Sequence, residues 1–237
     1  MTTTNKNSYT IKACLPLAAL ILNTQLTPMA AAVEAFKGLE EVVVTAQRRS
    51  QSTQDIPAAI TGITANDIES MGFENANDIT AQIPNMNVSN PYGDTQPIFS
   101  IRGISMSDYN PNQSSPIGIY ADEAYLGAIY THGLNFFDVE RIEALRGPQG
   151  TLYGKNTTGG AINIISNTPQ INAENSGYIN VGIGDYSARS TNGAAETTLI
   201  EDKLAARLAF TYKQDDGYVS NKTTGKDVGT TDYMATR

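Results

Sequence analysis

Val139-Glu140-Arg141-Ile142-Glu143-Ala144-Leu145-Arg146-Gly147-Pro148-Gln149-Gly150-Thr151-Leu152-Tyr153-Gly154 runs directly into Lys155-Asn156-Thr157-Thr158-Gly159-Gly160-Ala161-Ile162-Asn163-Ile164-Ile165. Two strand-like runs, 141–146 and 161–166, bracket a glycine-rich excursion. Gly147, Gly150, Gly154, Gly159 and Gly160 suit tight turns and close backbone approaches. A phosphate-binding loop is the rival reading, because Gly154-Lys155 lies near other glycines. It fails twice: three residues rather than four separate Gly150 from Gly154, and Asn156 stands where Ser or Thr must reach the metal. Glu140, Arg141, Glu143 and Arg146, with Arg102 upstream, read either as an ion-pair network or as a solvated face of alternating charge, where such pairs contribute little.

Upstream of this stretch, residues 56–169 have the pattern of a compact α+β unit. Thr64 is placed to cap a short helix over 65–71, with Gly72 as its stop. Asn75 or Asn77 is placed to cap a second helix through Gln82, ended by Pro84. Strand-like runs follow at 85–90, 98–101, 117–120 and 123–126. The polar connections between them, notably 105–116, are of the kind that carries binding function or serves as plain connectors.

Downstream, the pattern changes at Ser176. Ile179, Val181 and Ile183 share one face of a strand over 178–184, opposite Tyr178, Asn180 and Gly182. Residues 194–199 form a weaker strand. Over 204–213 the alternation is clearest: Leu204, Ala206, Leu208, Phe210 and Tyr212 on one side, Ala205, Arg207, Ala209, Thr211 and Lys213 on the other. Strands of about ten residues with one greasy face suit a transmembrane β-barrel, and they suit equally a half-buried sheet in a soluble sandwich. Under the barrel reading, 200–203 is a short periplasmic turn, 214–231 a longer extracellular loop, and 233–237 the start of a fourth strand.

The N-terminus reads as an export signal. Lys6 and Lys12 form a basic region, 13–22 an apolar run, and Ala30-Ala31-Ala32 a small-residue cleavage site, with cleavage after Ala35 as the second choice. The run is about half of the ~20 residues that span a bilayer. Next comes the β-branched run Glu40-Glu41-Val42-Val43-Val44-Thr45-Ala46, then a polar linker over 50–54. An extended segment on a leader is suited to pairing with another protein's sheet edge, and equally to being an edge strand of the next domain.

Composition removes several functions. The net charge of the 237 residues is −8, and loss of the two signal lysines makes the remainder more acidic, so phosphate backbones are repelled and no nucleic-acid partner is expected. The single cysteine, Cys14, lies in the export signal, leaving no disulfide, thiolate metal site or cysteine nucleophile. The one histidine, His132, cannot build a zinc site alone and reads as a loop or core residue. A secreted enzyme would need a convergent acid, base or nucleophile set. No elbow motif or carboxylate spacing nominates one, so no catalytic residue, metal or cofactor is expected.

From about Glu40 to the C-terminus the chain resembles the TonB-dependent outer-membrane receptors. Glu41, Val42, Val43, Val44, Thr45 and Ala46 resemble a TonB box. Ile56-Pro57-Ala58-Ala59-Ile60 and Thr64-Ala65-Asn66-Asp67-Ile68 resemble the opening of a plug. Ser100-Ile101-Arg102-Gly103, Ile117-Gly118-Ile119-Tyr120 and the stretch 139–165 match its signatures. The resemblance implies an α+β plug domain followed by the first antiparallel strands of a truncated transmembrane β-barrel. It divides the chain into signal peptide (1–35), TonB-box segment and linker (36–55), plug (56–169) and first barrel strands (170–237). Arg102, Gly103, Glu140, Arg141, Glu143, Arg146, Gly147, Gly154, Gly159 and Gly160 are implied plug-structural residues, the charged ones holding the plug to the barrel wall.

Ligand contacts are implied in 92–95, 105–112 and 125–132, with Tyr92, Tyr109 and Tyr130 as candidates because a phenol stacks on and hydrogen-bonds a bulky ligand. The implied partners are TonB, outer-membrane lipid and an extracellular small molecule, a ferric siderophore before a cobalamin or a carbohydrate. The implied location is the outer membrane of a Gram-negative bacterium, reached through a cleaved signal. Barrels of this kind have ~22 strands, so a chain with room for three strands and the start of a fourth is expected to be a fragment. A freestanding periplasmic plug-like binding module is the alternative, though it would have no use for the strands after Ser176.

Overall fold

The computed structural model describes residues 43–45, 51–54, 56–91, 93, 96–107, 110, 112–225 and 227–237. The expected signal segment, Glu41, Val42, Ala46, Tyr92 and Tyr109 lie outside the described residues.

The chain opens with β1 (Val43–Val44) and β2 (Gln51–Ser52), which pair antiparallel. The β-branched run therefore pairs with its own linker. Next come β3 (Ala59–Thr64) and α1 (Ala65–Met71). The helix starts where expected because Thr64 and Asp67 form a capping box, each side chain accepting from the other's backbone N–H. It stops at Gly72, whose left-handed backbone (φ 67) ends the helical path.

The second expected helix is instead a single 3-10 turn, Asp78–Ala81. Asn77 makes no side-chain cap bond, Asp78 accepts from the Glu74 and Asn75 N–H groups, and Pro84 closes the segment too soon for an α-helix. Then follow β4 (Met86–Ser89), β5 (Ile98–Ile101), β6 (Ile117–Ala121), β7 (Ala124–Tyr125), a 3-10 turn Ile129–Thr131, β8 (Val139–Arg146), α2 (Gly150–Tyr153) and β9 (Gly160–Ser166).

β3, β8, β9, β6 and β7 form one sheet in that order, with β6 and β9 parallel and the other pairs antiparallel. One face carries Ile63, Ile142, Ala144, Ile162, Ile164, Ile117 and Ile119 into a core completed by Ile79, Ile83, Phe99, Ile101 and Phe136. Each such isoleucine removed from water stabilises by about 1.5–3 kcal/mol. The opposite face carries Leu145 and Ala161 together with Glu143, Asn163 and Tyr120, and here the N-terminal segment lies. β3 has no strict alternation in sequence and was not expected as a strand. Pairing of all six residues with β8 sets its backbone.

A second sheet contains β10 (Ser176–Ile183), β11 (Arg189–Ile200), β12 (Leu204–Asp215) and β15 (Thr231–Thr236), antiparallel and adjacent in that order. The expected long loop between β12 and β15 holds a small hairpin, β13 (Val219–Ser220) with β14 (Asp227–Val228). β11 is much longer than the weak strand read from its sequence. Gly193, Ala194 and Ala195 lack β propensity, but β11 is paired on both sides, and these pairings override it. The face bearing Ile179, Val181, Ile183, Leu208 and Met234 points away from the rest of the protein, Ile183 being 89% exposed. The face bearing Arg207, Ala209, Thr211 and Lys213 turns toward the first sheet's body.

Gly160 shows why glycine occupies the start of β9. A Cβ there would sit 2.5 Å from the Leu145 carbonyl oxygen at φ +158, while a Cβ on Gly150 would meet nothing within 4 Å. Gly160→Ala is expected to destabilise the fold by about 2 kcal/mol or more and Gly150→Ala by less than about 0.5 kcal/mol, measured by denaturant unfolding in detergent. Equal effects would show that the close approach at Gly160 is not constraining.

Candidate functional site

Two charged clusters flank β8. The first is where the N-terminal segment docks. Val44 is fully buried against Ile56, Tyr120, Leu145 and Ala161, with Ala58, Ile60 and Tyr153 at the margin. Val43 points to solvent. The Thr45 N–H donates to Glu143 Oε1 at 2.6 Å and its hydroxyl lies 3.3 Å from the same oxygen. Arg141 Nε donates to that oxygen at 2.8 Å, Arg141 Nη2 reaches Thr45 Oγ1 at 2.9 Å, and Arg141 Nη1 pairs with Glu140. Glu143 is 0% exposed, and its other oxygen, Oε2, has no donor among the described residues. Asn163, paired with Glu143 across β8–β9, donates to the Tyr153 hydroxyl at 2.7 Å, and Tyr120 donates to the Tyr153 carbonyl at 2.6 Å. A cavity of about 30 Å³ remains between Thr45 and Tyr120, Tyr153 and Asn163.

The second cluster ties the two sheets together. Asp138, just before β8, receives two hydrogen bonds from Arg207 of β12, at 2.8 and 2.5 Å, and Arg207 also donates to Glu196 of β11 at 2.9 Å. Asn167 and the Asp138 carboxylate add a bond of 3.0 Å. The side chains are nearly closed to water, 2% exposed for Asp138 and 14% for Arg207. Lys213 and Glu74 pair at 3.1 Å, but Glu74 is largely in solvent, so this pair adds little. Arg237 lies over the Phe137 ring, 4.9 Å from its centre.

Arg141, Glu140 and Glu143 form an ion-pair network, and through it the N-terminal segment meets the first sheet at Thr45. Arg102 and Arg146 join no ion pair among the described residues; Arg102 sits at φ 53 in the turn after β5, beside Gly103 at φ 77. The contact with the second sheet belongs to Asp138, Arg207 and Glu196, none of them nominated from sequence. The available signal was Arg207 itself, an arginine in the middle of the polar face of an amphipathic strand.

A family model described as TonB-dependent Receptor Plug Domain matches residues 52–161. Residues 52–161 are thus similar to the plug domain of TonB-dependent receptors. The pesticin receptor of Yersinia pestis is 28% identical over 192 residues, covering 78% of this chain and 27% of that protein. The iron-regulated outer membrane virulence protein of Vibrio cholerae is 34% identical over 167 residues, covering 64% of this chain and 24% of that one. The solved ferric yersiniabactin uptake receptor from Yersinia pestis matches with a TM-score of 0.66 at 28% identity, covering 75% of this chain and 27% of that structure. The chain thus spans about a quarter of the length of these relatives. Two of the three are named as receptors.

Within the plug domain, Gly147, Gly154 and Gly159 line the excursion between β8 and β9, where the Gly147 N–H donates to the Gly159 carbonyl at 3.0 Å. Of the ligand candidates, Tyr130 alone lies among the described residues. Tyr130 is 66% exposed on its 3-10 turn, above Ile129, which packs with Ile98 and Met106 and so joins two connecting loops. Tyr125 turns instead to Tyr120, with ring centres 5.4 Å apart, on the sheet face where Val44 docks. Among the described residues no cluster of three or more His, Cys, Asp or Glu could hold a metal.

His132 is buried, with Nε2 2.9 Å from the Leu126 carbonyl oxygen. Burial lowers its pKa below the ordinary 6.5, outweighing the opposing effect of that hydrogen bond. The folded ring is therefore neutral where the unfolded one takes a proton, so the stability it confers is complete above pH 6.5 and is lost as the pH falls below it. His132→Gln is expected to reduce the fall in Tm between about pH 7.5 and about pH 5.5, read by thermal melts; an unchanged fall would exclude the histidine as its source.

The Asp138–Arg207 contact gives a second prediction. Arg207→Met strands two carboxylates and is expected to cost about 3 kcal/mol, while Asp138→Asn together with Arg207→Met recovers much of the loss because the stranded charge is removed. Unfolding in detergent measures both. Additive losses would mean that Asp138 and Arg207 contribute independently and that no stranded charge sets the cost.

Proposed function

We propose that this chain forms the N-terminal part of an outer-membrane receptor of a Gram-negative bacterium that imports a bulky ligand, a ferric siderophore, with energy delivered by TonB. Residues 1–35 are its cleaved signal peptide, 36–55 the TonB-box segment and linker, 56–169 the plug and 170–237 the first strands of the wall. The ligand binds outside, against connecting loops that include Tyr92, Tyr109 and Tyr130. The segment Glu41–Ala46 is then released and captured by TonB through strand pairing, and traction on it remodels the plug.

The observation that carries this reading is the second sheet. Its apolar face is bare and its polar face packs against the plug through a desolvated Arg207–Asp138 contact, an inside-out arrangement that suits lipid on one side and a plug on the other. The same bare face weighs against a freestanding periplasmic module, since water would meet a contiguous apolar patch. The named ligand of the yersiniabactin receptor and the iron regulation in the name of the Vibrio cholerae relative support a ferric siderophore over a cobalamin or a carbohydrate.

The docked state of Val44 and Thr45 gives TonB capture a defined starting point. Because Val43 is exposed while Val44 is buried, a change at 43 spares the packed side chain. Val43→Pro removes a ladder N–H and resists strand pairing. It is expected to weaken binding of the periplasmic domain of TonB at least about tenfold and to abolish siderophore-dependent iron uptake in cells carrying the receptor. Unimpaired binding and uptake would refute the assigned segment. Uptake of cobalamin or a labelled oligosaccharide in place of iron would replace the ligand class while leaving the rest.

A further inference from the structure

Glu143 is an unusual residue to find fully buried in the middle of a sheet. All of its described hydrogen bonds converge on Oε1: Arg141 Nε at 2.8 Å, the Thr45 N–H at 2.6 Å and the Thr45 hydroxyl at 3.3 Å. Oε2 has no donor among the described residues. Arg141 stands two residues away on the same strand, so Thr45 is the one donor that comes from another part of the chain. The carboxylate is thus completed from outside the sheet, by the backbone of a segment otherwise attached through a two-residue strand pair, one buried valine and a bond from Arg141 to the Thr45 hydroxyl.

We infer that Glu143 is a latch: a positioning residue that holds the N-terminal segment docked in one register and sets how readily it is released. The register follows from the chemistry. Val44 burial alone is non-directional. A charge-assisted bond to one particular N–H fixes residue 45 over β8, and a slip by one residue would turn the valine outward. The ease of release follows from the same geometry. When Thr45 departs, the covered face of the sheet opens, water reaches both carboxylate oxygens, and Arg141 remains beside the charge. Undocking therefore exchanges one good donor for water and does not strand an ion in a dry core. A cavity of about 30 Å³ lined by Thr45, Tyr120, Tyr153 and Asn163 lies beside the docked segment.

The inference rests on the reading of residues 41–46 as the segment that TonB captures, and it assigns the control of that capture to one side chain. A charge-assisted hydrogen bond shifts a docked-to-undocked ratio by roughly 10–100-fold. Glu143→Gln keeps the shape and removes the charge, so the docked-to-undocked ratio should fall by about that factor. A partner that binds only the undocked segment should then gain apparent affinity, because a larger fraction of the protein is competent to bind.

The test uses a spin label at Val43→Cys in the full chain, in a Cys14→Ser background that removes the only native cysteine. The parent label should be immobilised. Glu143→Gln should add a mobile component, and so should Thr45→Pro, which deletes the donor without touching the sheet. Asp138→Asn, which alters the contact with the second sheet, should leave the label as in the parent. A label that stays immobile in Glu143→Gln overturns the latch, and so does equal mobilisation by Asp138→Asn, which would mean general loosening. Titration with the periplasmic domain of TonB should show Glu143→Gln binding at least about tenfold more tightly. If the label mobilises but that domain binds neither protein, the function proposed above fails and the latch stands.

Discussion

The side chains of a strand alternate between two faces, and in β10, β11 and β12 the alternation is reversed relative to a soluble protein. Ile179, Val181, Ile183 and Leu208 face away from all other residues, while Asn180, Ser190, Arg207 and Thr211 face the plug. Water on both sides would drive the opposite arrangement, because each large apolar side chain left in water forgoes about 1.5–3 kcal/mol. The polar face can then afford a charged contact, and Arg207 makes it with Asp138. That contact places the first residue before β8 against the wall, and β8 in turn carries Arg141 and Glu143, which hold Thr45. One strand therefore links the wall at its start to the docked tether at its middle.

The two contacts differ in what their loss leaves behind. Arg207 gives two bonds to a nearly dry Asp138 and a third to Glu196, and losing it strands charge. Glu143 accepts through one oxygen, from Arg141 on its own strand and from Thr45 of the N-terminal segment. The first contact is an ion pair between Asp138 and Arg207, and the second a charge-assisted hydrogen bond from the Thr45 N–H to Glu143. The difference lies in what replaces the lost partner, which is set by whether solvent can follow it.

Sequence revealed the parts that are local. Thr64 and Asp67 sit three residues apart and declare a helix start, which the capping box bears out. Leu204 to Lys213 declare a two-faced strand, and only the direction of the greasy face needed the structure. β3 and β11 were less legible because Gly62, Gly193 and Ala194 carry no strand preference of their own, and their conformation comes from neighbours distant in sequence. The network of Arg141, Glu140 and Glu143 is legible from its alternating charges, but its distant contact is not. Glu143 meets Thr45, 98 residues away, and Asp138 meets Arg207, 69 residues away, and no spacing rule reports contacts of that separation.

The most direct measurement is the solvent environment of successive side chains along β12, with spin labels placed singly from Leu208 to Thr211 in protein reconstituted into lipid vesicles. Collisions with oxygen, which concentrates in hydrocarbon, should be frequent at 208 and 210 and rare at 209 and 211. Labels that respond alike at all four positions, or that favour a water-soluble relaxant at 208 and 210, would contradict a wall with its apolar side to lipid.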